Sequence, residues 1–177
     1  MLQSAADAAL LLVDIQQRLM PAIDDGEAVV ANAVRLAEAA RLLEVPTCAT
    51  EQYPDGLGHT VPELAGHPQL VMAKTAFSAV ADPGFASLLP PRTSEIVVAG
   101  AEAHVCVLQT ALAMVAARHR VLVVADAVGS RNPADKAVAL DRLQRHGVEI
   151  VTTEMVLFEW LRDSLHPRFR EVQKLIR

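Results

Sequence analysis

Cysteine is scarce in this chain: two of 177 residues, Cys48 and Cys106. That is too few for a disulfide framework, so a reducing compartment, the cytoplasm, is the expected setting. Basic charge is in deficit, with 16 Lys and Arg against 21 Asp and Glu and a net charge of −5. Such a balance argues against phosphate backbones and anionic membranes as partners, and no basic cluster of the nucleic-acid kind occurs. Long apolar runs are missing too. None approaches the roughly 20 residues of a membrane helix, and the run from Ala8 to Val13 stops at Asp14. The start of the chain, Met1 to Ala9, has no charged opening of a secretory signal. Glycine (8), proline (10) and aromatics (3%) are modest beside 52% hydrophobic residues, which excludes disordered, collagenous and low-complexity chains. Residues 1–177 are expected to form a single domain, since a chain of this length buries roughly 70% of its unfolded surface without staples.

What is present is an alternation of short apolar runs and longer amphipathic ones. Ala8–Val13 reads as a strand buried on both faces, and Glu27–Leu43 as a helix with Val30, Val34, Ala37 and Leu42 near helical spacing. Pro46 restarts the chain as a strand to Thr50. Tyr53-Pro54-Asp55-Gly56-Leu57-Gly58 reads as a loop. Further strands are expected at Leu70–Ala73, Ile96–Ala99, Val121–Val124 and Glu149–Val151, with a helix over Val107–Ala117. Ser130 and Asn132 both offer N-caps ahead of Pro133 for a helix running to Arg145 and stopped by Gly147. Helical segments follow at Val156–Leu161 and Pro167–Ile176. Short strands that are apolar throughout and separated by helices predict a parallel sheet covered on both sides, a three-layer α/β/α fold of about six strands. Ligand sites in such sheets lie at the carboxyl ends of the strands.

Three chemically matched residues fall there. Asp14 follows the first strand, Lys74 the third, and Cys106 lies in the segment Gly100-Ala101-Glu102-Ala103-His104-Val105-Cys106 after the fourth. Each has a plain structural alternative. Asp14 with Gln17 fits a capping box. Lys74 is one of only three lysines, and a surface lysine is the common case. A lone buried cysteine is usually inert. At a helix N-terminus, however, backbone N–H groups favour the thiolate, which is the environment expected for Cys106. Cys48, inside a strand, reads as packing.

Together these residues make the sequence recognisable. It resembles the isochorismatase-like cysteine hydrolases through Leu-Leu-Val-Asp-Ile-Gln at 11–16, Lys74 with Phe77-Ser78, Gly100 to Cys106 continuing as Val107-Leu108-Gln109-Thr110-Ala111, Val124-Ala125-Asp126-Ala127 and Ser130-Arg131. Thr50-Glu51-Gln52-Tyr53-Pro54 and Glu102-Ala103-His104-Val105-Cys106 bring it nearest the small isochorismatase-domain-containing proteins. The likeness implies a six-stranded parallel sheet in the order 3-2-1-4-5-6. It implies an Asp14–Lys74–Cys106 triad, a cis peptide between Ala101 and Glu102, and an oxyanion hole from the backbone amides of Glu102 and Cys106. It also implies homo-oligomers, with Phe158, Trp160 and Phe169 as a candidate apolar interface set against plain core packing. The cysteine argues against isochorismate as substrate, because the family members that cleave that vinyl ether lack it.

No metal is expected: the related nicotinamidases place an Asp-x-His pair after the second strand, the corresponding stretch here, Glu51 to His59, has none, and His59 and His67 read as solvated loop residues. No cofactor is expected either, since neither G-x-G-x-x-G nor a Walker-type lysine loop occurs. Gln52, Tyr53 and Phe77 are candidate substrate contacts, with loop packing as the alternative for the two rings. Arg131 is a candidate carboxylate ligand or a surface residue. His104, two residues from Cys106, should point elsewhere if the segment is helical. The expected activity is hydrolysis of a small amide or related acyl compound through a thioester. The alternatives are a catalytically silent binding protein on the same fold, whose partner would ignore Cys106→Ser, and a redox-responsive thiol, which would oxidise reversibly without hydrolysing amides.

Overall fold

The structure, a computed structural model, describes residues 1–91 and 93–176. Six strands, β1 (Ala8–Val13), β2 (Thr47–Gln52), β3 (Leu70–Lys74), β4 (Glu95–Ala101), β5 (Arg120–Gly129) and β6 (Glu149–Val151), form one parallel sheet in the order β3-β2-β1-β4-β5-β6. The winding reverses between β1 and β4, so the two strands that carry the acid and precede the thiol are neighbours. Register then sets the site. Val13 lies opposite both Thr50 and Gly100, and Gln52 lies opposite Lys74.

Alternate residues of the buried strands feed two cores, as the two-residue period of a strand requires. Leu10, Leu12, Val97, Ala99, Leu122 and Val124 pack with Leu36, Leu157 and Trp160. These belong to helices α1 (Gly26–Leu42) and, after four intervening helices, α6 (Thr153–Leu161). Leu11, Val13, Ile96, Val98, Val121 and Val123 pack on the other face with Ala111, Met114 and Leu143. Each fully buried leucine contributes about 1.5–3 kcal/mol to this three-layer stack. Trp160 is only 3% exposed, so it is a core residue rather than part of an apolar outer face. Phe158 remains exposed, its ring 6.4 Å from that of half-buried Phe169.

The intervening helices depart from the sequence pattern in detail. Pro54–Leu57 is a helical turn, α2, where a loop was expected, and Phe85–Leu88 forms a short α3. The helix bearing the thiol begins as a π-helical turn, Ala103–Val107, and continues as α4 (Leu108–Ala116). Asn132, not Ser130, caps α5 (Pro133–Arg145), its side chain accepting from the Ala134 N–H at 2.9 Å. The last helix, α7, runs Phe169–Gln173 and not from Pro167. Here His166 takes the first turn: its ring accepts from the Arg168 N–H and its carbonyl from the Phe169 N–H.

β4 packs tightly against β1 at Gly100. A Cβ added there would lie 2.0 Å from the Val13 carbonyl oxygen, and its φ of +141° is one that only glycine adopts freely. Among the described residues no helix is long and apolar enough to cross a membrane.

Candidate active site

Asp14 follows β1 in the left-handed region, φ 53°, a conformation Asp tolerates better than most residues. It caps no helix. Its side chain is fully buried and held at both oxygens: Oδ1 accepts from the Thr50 hydroxyl at 2.6 Å, and Oδ2 from the Lys74 ammonium at 2.8 Å. Lys74 is equally buried, which removes the surface-lysine alternative. β3 lies two strands from β1 in the sheet, a gap of roughly 10 Å, and the lysine stem crosses it. Its Nζ also donates to Gln52 Oε1 at 2.7 Å and, more loosely, to the carbonyls of Ala76 and Phe77 at 3.3 and 3.4 Å. The three ammonium protons are therefore all engaged.

Cys106 completes the group from the π-helical turn. Its Sγ lies 4.0 Å from Gln52 Oε1, and its residue is 6% exposed. Burial pushes the thiol up to about 12, helped by the neighbouring Asp14 carboxylate and opposed by Lys74. This reverses the expectation from the helix N-terminus: removal from water and the adjacent negative charge outweigh the backbone dipoles, so the resting group is the thiol. Cys48, in β2, donates to the Leu88 carbonyl at 2.9 Å; burial lifts it to about 11, as befits a packing thiol.

The peptide between Ala101 and Glu102 is cis. The Glu102 carbonyl accepts from the N–H groups of Val105 at 3.1 Å and Val107 at 3.2 Å. Its buried carboxylate takes the Arg131 backbone N–H at 2.9 Å and Nε at 3.0 Å. Burial alone would raise the Glu102 carboxyl, but these hydrogen bonds hold it below the usual range. Arg131 thus binds a carboxylate that belongs to the protein, with most of its guanidinium on the surface. His104 turns from the thiol, its Nδ1 2.9 Å from Ser130 Oγ.

Gln16 and Thr50 are site residues that strand-end reasoning did not single out. Fully buried Gln16 donates to the carbonyls of Gln52 and Gly58 and accepts from the Gln52 N–H, binding the β2–α2 junction to the end of β1. The loop is closed further by Glu51, whose carboxylate accepts from Thr60 N–H and Oγ1 at 2.7 and 2.8 Å and pairs with His59 Nδ1 at 2.9 Å. His59 is exposed as expected, but His67 is not: its ring is 14% exposed and faces Glu38. Tyr53, with φ 38°, and Phe77 are both more than half exposed, and the Tyr53 ring lies against Gly56 of its own loop. A groove of about 940 Å³ lined by Met20, Val30, Val34, Val61 and Glu63 includes neither Asp14, Lys74 nor Cys106. Among the described residues no three His, Cys, Asp or Glu side chains are grouped to hold a metal ion.

A parallel 3-2-1-4-5-6 sheet with helices on both faces matches the isochorismatase-like fold. The Isochorismatase domain model matches residues 8–155, and the chain belongs to that family. It is 41% identical over 174 residues to Isochorismatase domain-containing protein 2 of Danio rerio, covering 98% of this chain and 88% of the relative. Among solved structures, MAR1 ribonuclease from Caenorhabditis elegans superposes with a TM-score of 0.93 at 36% identity, covering 99% and 92% of the two chains. YcaC from Pseudomonas aeruginosa, with hexane-2,5-diol and covalent acrylamide, gives 0.90 at 26% identity, covering 98% and 91%.

Proposed function

We propose that this chain is a cysteine hydrolase of a small, uncharged amide or related acyl compound, working through an Asp14–Lys74–Cys106 triad. The observation that carries the reading is the buried contact of the Asp14 carboxylate with the Lys74 ammonium beside a thiol on the adjoining turn. Buried charges cost several kcal/mol each to desolvate, and a fold has little use for such a pair beside a thiol unless protons move there. YcaC, a structural relative, carries covalent acrylamide, so that protein holds a group that reacts with an electrophile, in keeping with this reading.

In this mechanism Asp14 takes the thiol proton as sulfur attacks the carbonyl carbon, and the carbon–oxygen π electrons pass to oxygen. The amides of Glu102 and Cys106 are assigned to that oxyanion, at about 2.7–4 kcal/mol for each well-placed donor. When the C–N bond breaks, the leaving amine takes the proton from Asp14 and a thioester remains. Water then attacks the thioester carbon, gives its proton to Asp14, and expels sulfur. The proton returns to sulfur, leaving the free acid and the resting thiol. Gln52 is positioned against Lys74, and Tyr53 and Phe77 are assigned to the substrate wall.

Phe158 and Phe169 offer an apolar surface for a second copy; Phe158→Asp should lower the mass measured by light scattering if the protein is a homo-oligomer. A ribonuclease reading, suggested by the name of the worm relative, sits poorly with a net charge of −5. The test is a panel of small primary amides, with RNA in parallel, read by ammonia release and by intact mass. Turnover with an acyl adduct on Cys106, both lost in Cys106→Ala, is the expected result. Full turnover by Cys106→Ala, or RNA cleavage without any amide hydrolysis, would overturn it.

A further inference from the structure

Thr50 is 1% exposed and sits on β2, directly opposite the last residue of β1. It grips Asp14 twice. The Asp14 N–H donates to the Thr50 carbonyl at 3.1 Å, and the Thr50 hydroxyl donates to Asp14 Oδ1 at 2.6 Å. The second distance is that of a charge-assisted hydrogen bond from hydroxyl to carboxylate. Threonine is β-branched and restricted at χ1 in a strand, so the hydroxyl is aimed by the backbone rather than by chance.

We propose that Thr50 is a positioning residue that sets where the shared proton rests between Asp14 and Cys106. The inference rests on the hydrolase reading of this site. The pair can hold one proton in two ways, as carboxylate with thiol or as carboxylic acid with thiolate. A hydroxyl donating into Oδ1 stabilises the first form and not the second. Thr50 therefore keeps the proton on sulfur at rest and keeps Asp14 a weak enough base to hand the proton on to the departing amine.

Of the charged groups around Asp14, Lys74 acts in the same sense but cannot be removed without changing the charge, and the others are engaged elsewhere. Lys74, from β3, is bound to Oδ2 and favours the charged carboxylate from that side. Glu51, next to Thr50 in β2, is spent on Thr60 and His59, while Glu102, just before the π-helical turn, is spent on Arg131 and His104, within it, on Ser130. Only Thr50 can be removed without altering charge or volume, by valine.

The experiment is alkylation of the native protein with limiting iodoacetamide, counted at Cys106 by peptide mass spectrometry across pH 5–9. Loss of a hydrogen bond to a charged group should raise the thiolate share, and Thr50→Val should label Cys106 at least about ten-fold faster than wild type at pH 7. Thr50→Ser, which keeps the hydroxyl, should restore the slow rate, a rescue that a purely packing role would not produce. Equal or slower labelling of folded Thr50→Val overturns the proposal. Thr50→Ala, read the same way, decides the matter if the valine variant does not fold. Asp14→Asn separates the two levels. If it leaves Cys106 labelling unchanged at every pH, no proton is shared and the hydrolase reading falls with this proposal. If Asp14→Asn changes labelling and Thr50→Val does not, only the role of Thr50 is lost.

Discussion

Replacing Lys74 by methionine tests the energetics of the site directly. The stem keeps its length and the charge disappears. Asp14, fully buried, then has no counter-ion, and Gln52 Oε1 loses the donor it faces at 2.7 Å. Removing one member of a buried pair typically costs about 3–5 kcal/mol, far above the 0–1 kcal/mol of an exposed one. For a chain of this size that corresponds to a fall of about 6–20 °C in Tm. Asp14→Asn/Lys74→Met removes both charges and should recover much of the loss, because a neutral pair needs no desolvation of an orphaned ion. Urea unfolding of the wild type, both single variants and the double variant closes the cycle. A loss below about 1 kcal/mol for Lys74→Met, or additive losses in the double variant, would refute the reasoning.

The remaining expectations concern the rest of the fold. Both thiols sit above their ordinary value of 9.0, Cys48 at about 11 and Cys106 at about 12. A raised folded-state value means stability that is fully present below pH 9 and is lost as pH rises toward those values. Cys48→Val should flatten this alkaline loss by up to about 3 kcal/mol, two units at 1.36 kcal/mol each; urea unfolding at pH 8, 10 and 11 that runs parallel to wild type would contradict it. Glu51→Gln weakens the clip on Thr60 and His59, and hydrogen exchange of the Thr60 amide should quicken at least about ten-fold, the size of a lost charge-assisted bond. Gly100→Ala drives a methyl into the Val13 carbonyl and should yield no soluble folded protein on expression.

The sheet was legible because its strands are buried on both faces and so are apolar from end to end, as Ala8–Val13 shows. The places of the acid, the ammonium and the thiol were legible because polar groups at a strand end interrupt such a run. Thr50 was not: a threonine in a strand is what β-propensity alone would place there, and only register reveals that its hydroxyl meets a carboxylate. Trp160 was ambiguous because an aromatic on an amphipathic helix reads alike whether it faces the core or a partner. The protonation of Cys106 was misjudged in direction, since the pattern showed the helix terminus but not how little water reaches the sulfur. His67 looked solvated because the contact that shelters it, with Glu38 of α1, spans 29 positions of sequence.

The opposed charges of Asp14 and Lys74, with Cys106 protonated beside them, give the three residues no net charge. Fields that steer ions to a cleft raise encounter rates and fade as salt is added. A site whose own charges sum to zero gains little local steering and loses little to salt. For the proposed hydrolase, second-order turnover of an uncharged amide should therefore vary little from dilute buffer to half-molar sodium chloride.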